Sequence, residues 1–177
     1  MMVVLVRHMA VHVQQGTCYG RMEVPLRPDV LEHVPQLAAE ICAYDIARVW
    51  TGPAARCRVL ADAIVAVAGT SPVIDPRLHE LHFGTWEGIP WDLVPRSELD
   101  RWAATPLSFA PPGGESGQEF LDRVSDVYRA ICTAGEDCVV VSHGGTLKVL
   151  RAFLQGETPD LYAPAPAMGS ITVIATR

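Results

Sequence analysis

Side chains that could bind or attack a phosphate group follow several apolar segments of this sequence. The groups are Arg7-His8, Arg56, His79-Glu80 and His143-Gly144-Gly145, and each lies at or shortly after the end of a predicted strand. In an open α/β sheet, ligands bind beyond the carboxyl ends of the parallel strands. We therefore expect these side chains to meet at one edge of the sheet.

These residue types suit phosphoryl transfer. Arginine forks match phosphate oxygens, and a glycine pair at the start of a helix lets backbone N–H groups approach an anion. A neutral imidazole beside such a pocket can attack phosphorus and carry the phosphoryl group as a phosphohistidine. A second histidine and a carboxylic acid that protonates the leaving oxygen would complete the set.

Short, continuously apolar runs predict the strands of a buried, mostly parallel sheet. They are Val3–Val6, Ile46–Trp50, Val73–Ile74, Cys138–Ser142 and Ile171–Thr176. Helical spacing of apolar residues between them predicts four helices, at Asp29–Tyr44, Ala54–Ala68, Glu115–Thr133 and Thr146–Leu154. We therefore expect an α/β fold: a single three-layer αβα domain over residues 1–177, with a mostly parallel central sheet flanked by helices.

Residues 81–115 interrupt this alternation. The segment is rich in proline and contains Trp86, Trp91 and Trp102. We interpret it as an excursion that forms a cap or a wall of the active site. Its tryptophans either pack the segment or provide a platform for substrate.

Composition excludes several classes of protein. Fourteen Lys and Arg against twenty Asp and Glu give a net charge of −6, which argues against nucleic acid or a membrane surface as partner. Five cysteines without a CxxC pair are typical of a reducing compartment, and the start MMVVLVRH lacks signal-peptide features. We therefore expect a cytoplasmic protein. Its oligomeric state is left open, a homodimer included.

Five segments, in order, resemble the signatures of the histidine phosphatase superfamily, also called phosphoglycerate-mutase-like. The segments are residues 5–8 (LVRH), 51–58 (TGPAARCR), 78–88 (LHELHFGTWEG), 112–116 (PGGES) and 141–145 (VSHGG). An Arg-His pair alone means little, but five pieces at the family's spacing are a specific signal.

The resemblance implies a role for each residue of the set. His8 would be the nucleophile, Arg7 and Arg56 would bind the phosphoryl oxygens, His143 would be the second histidine of the phosphate pocket, and Glu80 would be the proton donor. Gly144 would contribute to the phosphate site. Arg58 competes with Arg56, and Glu115 competes with Glu80, for these roles.

The sequence departs from the family after His8, where the usual pattern is Arg-His-Gly-x-Thr-x-x-Asn. Met9 and Val11 replace the Gly and Thr, and Gln14 stands in place of Asn, where its amide could still contact phosphate. The following turn, residues 16–21 (GTCYGR), resembles the α-ribazole phosphatase branch. Tyr19 and Arg21 of this turn are candidates for substrate contacts beyond the phosphate.

We therefore expect a phosphomonoesterase that acts through a phosphohistidine on His8, with a small phosphorylated metabolite such as α-ribazole 5′-phosphate as substrate. The alternatives are a phosphoglycerate mutase, a broad-specificity sugar-phosphate phosphatase and, in another class, a noncatalytic sensor of a phosphorylated ligand. No cofactor is expected. No metal is expected either, because the histidines include no HxH or HExxH pattern and the arginines supply positive charge.

Overall fold

Five short strands form one sheet at the centre of the computed structural model, which describes residues 1–176. The strands are β1 (Met2–Arg7), β2 (Arg48–Thr51), β3 (Pro72–Ile74), β4 (Cys138–Ser142) and β5 (Ile171–Ala175). Their order is β3-β2-β4-β1-β5, and all neighbours are parallel except β5, which runs antiparallel to β1. Because β1, β2 and β4 are parallel neighbours, their carboxyl ends lie at the same edge.

The helices are α1 (Pro28–Leu31), α2 (Val34–Cys42), α3 (Ala55–Ala68), α4 (Arg96–Ala104), α5 (Gly117–Ala134) and α6 (Gly144–Gln155). α2 and α3 cover one face of the sheet and α5 and α6 cover the other, whereas α1 and α4 contain no buried residue. Successive strand side chains point to opposite faces. In β1, Val4 and Val6 pack with α2 and α3, whereas Val3 and Leu5 pack with α5 and α6. The predicted three-layer αβα fold with a mostly parallel sheet is confirmed.

The single helix predicted over Asp29–Tyr44 is wrong. Two helices, α1 and α2, occupy this stretch, with a break at Glu32 and His33. Pro35 lies in the first turn of α2, and its ring would clash with a preceding helical turn and has no N–H to donate. Proline is tolerated in a first turn, so the chain begins a new helix there instead of continuing the old one.

A capping box defines the start of α5, the helix that borders the site. Ser116 accepts a hydrogen bond from the backbone N–H of Glu119, and the Glu119 carboxylate accepts one from the backbone N–H of Ser116. At the other end, Gly135 adopts a left-handed φ of 66°, a conformation that glycine reaches without a steric penalty.

The excursion at 81–115 contains α4 and short 3₁₀ turns. It has a small apolar core of its own, in which Trp86, Cys18 and Val94 are buried. The indole N–H of Trp86 donates to Glu98 at 2.8 Å, which ties α4 to this core. Residues 14–20 pack against the excursion, so the two segments together form one wall beside the strand ends.

None of the helices in residues 1–176 combines the length and the apolar character needed to cross a membrane.

Candidate active site

The two histidines of the predicted set lie side by side at the carboxyl edge of the sheet. Arg7 at the end of β1 is paired with Ser142 at the end of β4, so the residues that follow each strand are neighbours. The backbone N–H of His8 donates to Ser142 at 3.0 Å. The rings of His8 and His143 meet edge to face, with 5.2 Å between their centroids.

His8 is held in one tautomer. Its Nδ1 lies 2.8 Å from the carbonyl oxygen of Met9, so Nδ1–H donates there and Nε2 carries the free lone pair. Burial, with a smaller contribution from the positive charges of Arg56 and Arg7, lowers the pKa of His8 to about 3. The imidazole is therefore neutral at physiological pH, the form that a nucleophile requires.

His143 is also buried and neutral. Burial first, and then the charge of Arg56, holds its pKa well below the usual value near 6.5. The thiol of Cys57 lies 3.6 Å from its Nε2. Burial raises the pKa of Cys57 to about 12, so this neighbour stays an uncharged thiol and adds no charge to the site.

Backbone carbonyls fix the two arginines. Arg56 is 1% exposed and donates to the carbonyls of Met22 and Gly20, at 2.8 and 2.7 Å. Its guanidinium carbon lies 5.4 Å from the centre of the Tyr19 ring, within range of a cation–π contact. The competing Arg58 pairs with Asp62 on the exposed side of α3 instead.

Arg7 lies over the start of α6. It donates to the carbonyl of Pro166 at 2.7 Å, and a Cβ atom added to Gly144 would come within 3.0 Å of its guanidinium carbon. The absence of a side chain at Gly144 therefore lets the arginine reach the helix N-terminus. Within residues 1–176, the Nε atoms of Arg7 and Arg56 are buried and have no hydrogen-bond partner. Unpaired buried donors of this kind are uncommon.

Glu80 occupies the N-terminus of α6. Its carboxylate accepts hydrogen bonds from the backbone N–H groups of Gly145 at 2.9 Å, Thr146 at 3.2 Å and Leu81 at 3.0 Å. A side chain at Gly145 would collide with this carboxylate, which explains the second glycine of the pair. Backbone N–H groups at a helix start attract anions, and here they place an acid beside the two histidines.

Glu115, the rival acid, has a different environment. Arg123 donates to both of its carboxylate oxygens, at 2.6 and 2.9 Å, and Arg21 donates to one of them at 3.0 Å. Burial alone would raise the pKa of Glu115, but the hydrogen bonds and charge of Arg123 hold it below its usual value. An ionised carboxylate shared by two arginines is poorly suited to donate a proton.

Arg123 is a residue that the sequence analysis missed. It also donates to the backbone carbonyls of Arg77, His79 and Glu80, at 2.7 to 2.8 Å, and so holds the segment that carries Glu80. The one signal in the sequence was its position: Arg123 is a charged residue on the inward side of the predicted helix, one turn after the capping box.

Of the three other residues predicted to contact substrate, Tyr19, Arg21 and Gln14, one lines the pocket beside His8. Tyr19 lines an open pocket of about 120 Å³ beside His8 and Glu80. The Arg21 guanidinium is already bonded to Glu115 and to the carbonyl of Glu80. Gln14 lies exposed on a turn and is not among the residues that line the pocket, so its predicted phosphate contact gains no support.

Acid should destabilise the protein through its two buried histidines. Unfolding returns each one to a pKa near 6.5, so below that pH the unfolded chain binds more protons than the folded one and stability falls as pH falls. For His8 the loss continues to about pH 3. Between pH 7 and pH 5, His8 should remove about 2 kcal/mol from the free energy of unfolding, and His143 should act in the same direction.

Urea unfolding of wild type and His8→Asn at both pH values measures this loss. The variant should lose the part of this pH dependence that His8 contributes, whereas His33→Asn should change little because that histidine is exposed. An unaltered pH dependence in His8→Asn would contradict the assignment of a buried neutral imidazole.

The fold and the arrangement of these side chains indicate the class of enzyme to which the protein belongs. An α/β sheet whose strand ends bring two neutral histidines, two arginines and a carboxylate to one edge is the architecture of an enzyme that acts on phosphate esters. Across residues 1–176, no group of three or more His, Cys, Asp or Glu side chains is arranged to hold a metal ion.

Comparison with known proteins identifies the family. The model of the histidine phosphatase superfamily (branch 1) matches residues 3–177, and this chain belongs to that superfamily. The resemblance seen in the sequence is thereby confirmed, as is the expectation of a phosphatase-class enzyme.

Two curated relatives are named for different substrates. "Putative phosphoserine phosphatase 2" of Hydrogenobacter thermophilus is 29% identical over 157 residues, which cover 86% of this chain and 77% of that protein. The glucosyl-3-phosphoglycerate phosphatase of Mycolicibacterium vanbaalenii is 33% identical over 130 residues, covering 62% of this chain and 55% of that protein.

Solved structures share the fold over almost the whole chain. The α-ribazole phosphatase of Shigella flexneri superposes with a TM-score of 0.85 at 24% identity, covering 99% of this chain and 90% of that one. The Bacillus stearothermophilus protein YhfR gives a TM-score of 0.83 at 25% identity, with 98% and 90% covered.

Proposed function

We propose that the protein is a phosphomonoesterase that works through a phosphohistidine on His8. In the first step the Nε2 lone pair attacks phosphorus and the bond from phosphorus to the ester oxygen breaks. The electron pair of that bond leaves with the alcohol oxygen, which takes a proton from the carboxylic acid of Glu80. Arg7, Arg56 and His143 bind the phosphoryl oxygens, and their donors stabilise the charge spread over them.

The second step returns the enzyme to its starting state. Water attacks the phosphoryl group from the face that the alcohol has left, and the Glu80 carboxylate accepts its proton. The bond from phosphorus to Nε2 breaks, its electron pair returns to His8, and inorganic phosphate is released. The hydrogen bond from Nδ1–H to Met9 holds the tautomer through both steps.

The single observation that carries this proposal is the state of His8. A buried imidazole with pKa about 3, its Nδ1–H given to a carbonyl, presents a neutral Nε2 beside two arginines with unpaired donors. A noncatalytic sensor would need no acidic group beside the nucleophile, where three backbone N–H groups hold the Glu80 carboxylate.

For the substrate we propose α-ribazole 5′-phosphate within the wider class of small phosphorylated metabolites. The support is the turn at residues 16–21, which resembles that branch of the family and whose Tyr19 lines the pocket. A phosphoglycerate mutase and a broad-specificity sugar-phosphate phosphatase use the same chemistry and are the alternatives. A mutase must also retain and turn a bisphosphate, for which members of the family usually use longer cap segments than residues 81–115.

Steady-state hydrolysis of a panel of phosphate monoesters tests the function. The panel contains α-ribazole 5′-phosphate, 3-phosphoglycerate, phosphoserine and a hexose phosphate, each measured against the His8→Ala background. We expect the highest kcat/KM for α-ribazole 5′-phosphate, inhibition by vanadate and full activity in excess EDTA, because arginines supply the positive charge.

Each part of the proposal can fail separately. Turnover equal to the His8→Ala background for every ester would favour the sensor. Release of 2-phosphoglycerate from 3-phosphoglycerate without free phosphate would favour the mutase. Activity lost in EDTA and restored by a divalent cation would contradict metal-independent catalysis.

A further inference from the structure

The pocket that His8 and Glu80 line has aromatic side chains in its wall. Besides those two residues it is lined by Thr17, Cys18, Tyr19, Gly20, Phe83 and Trp91. We propose that this wall binds a planar, uncharged group on the alcohol side of the ester and so selects against substrates with a second negative charge. The inference rests on the proposed phosphatase function and names the substrate class for the same site.

Backbone pairing makes the wall rigid. The N–H of Cys18 donates to Ile89 at 3.0 Å, the N–H of Gly88 donates to Cys18 at 2.7 Å, and the N–H of Trp91 donates to Gly16 at 2.9 Å. The turn at 16–20 and the stretch at 88–91 are thus joined as one unit. A preformed surface needs little ordering when a ligand binds, which favours affinity.

The aromatic side chains divide into two groups. Trp86 is 2% exposed and belongs to the core of the excursion. Phe83 and Trp91 are only partly buried; their rings meet edge to face at 5.2 Å, and Trp91 is backed by Trp102, stacked at 6.3 Å and 19°. Trp91 is therefore supported from behind while it lines the pocket. Flat rings offer contact area and favourable stacking to another planar group.

The charges around the wall disfavour a second anion. In the described part of the chain, no lysine or arginine lines this pocket. Arg21, which the sequence suggested as a substrate contact, forms an ion pair with Glu115. The carboxylate of Glu87 accepts hydrogen bonds from the backbone N–H groups of Arg21 and Phe83. A carboxylate placed here would lose water without gaining a cation, which is costly.

Three matched esters test this selection. Benzyl, cyclohexylmethyl and 4-carboxybenzyl phosphate all release a primary alcohol, so differences in kcat/KM report on recognition rather than on leaving-group chemistry. We expect benzyl phosphate to exceed cyclohexylmethyl phosphate by about 3- to 10-fold, the range of an aromatic stacking contact. We expect 4-carboxybenzyl phosphate to be lower than benzyl phosphate by about 10-fold or more, because its charge is left unpaired.

Variants assign the effect to Trp91. Trp91→Leu should bring the ratio of benzyl to cyclohexylmethyl phosphate close to one while leaving inhibition by inorganic phosphate unchanged. Trp91→Phe, which keeps a ring, should retain most of the ratio. Leu93→Ala is the matched control, since Leu93 lies two residues away, is 70% exposed and does not line the pocket.

The outcomes separate this inference from the proposed function. Equal kcat/KM for all three esters, or an equal loss for all three in Trp91→Leu, would overturn the inference while the phosphatase function stood. If none of the three were hydrolysed above the His8→Ala background while α-ribazole 5′-phosphate was, the inference would fail and the phosphatase function would stand. If α-ribazole 5′-phosphate and the other esters of the panel also stayed at that background, the proposed function would fail, and this inference with it.

Discussion

His8→Ala should lose at least about 10⁴-fold in turnover of every phosphate ester, because it removes the imidazole that lines the pocket together with Glu80. The substitution abolishes the covalent phosphohistidine intermediate. Brief incubation with ³²P-labelled substrate, followed by a denaturing quench, measures how much of this intermediate is present. The wild type should carry acid-labile label, and the variant should carry none.

The control for this experiment is His12→Ala. His12 lies in the same segment but is exposed, so its removal should leave both labelling and turnover intact. Label that persisted in His8→Ala would show that another residue is the nucleophile. Label lost in His12→Ala as well would show that the segment, rather than one imidazole, had been disturbed.

Glu80→Gln should slow the hydrolysis of alkyl phosphates by about 10²- to 10⁴-fold, the usual contribution of general acid catalysis. The same substitution should affect p-nitrophenyl phosphate much less, because nitrophenolate leaves without a proton. The glutamine keeps the shape of the side chain, and its amide oxygen can replace one of the two carboxylate oxygens that accept from backbone N–H groups. Single-turnover phosphorylation of His8 by benzyl and p-nitrophenyl phosphate isolates this step.

Glu115→Gln provides the matched comparison. Because Glu115 binds Arg123 and Arg21 rather than the start of α6, its loss should lower both rates by a similar factor. If the dependence on the leaving group appeared in Glu115→Gln and not in Glu80→Gln, Glu115 and not Glu80 would be the proton donor.

Much of the fold could be predicted because its signals are local. A strand buried on both faces is a continuous apolar run, and the run at 138–142 coincides with β4. Parallel strands place their following residues at one edge, which is why His8 and His143 could be paired from opposite ends of the chain. The prediction of a single helix over Asp29–Tyr44 failed because of Pro35. The apolar periodicity continues through this residue, but a proline cannot continue a helix from the preceding turn.

The fold class, the family and the residue types that meet at the strand ends could all be inferred from the sequence. The contacts that each of these residues makes are visible only once the chain is folded. Arg123 meets Glu80 across 43 positions and Arg56 meets Gly20 across 36. Such long-range pairings depend on how helices pack against the sheet, and no local pattern encodes that packing. The tautomer of His8, the ionised state of Glu115 and the place of Trp91 beside the pocket also depend on packing, because burial and hydrogen bonding arise when distant segments come together.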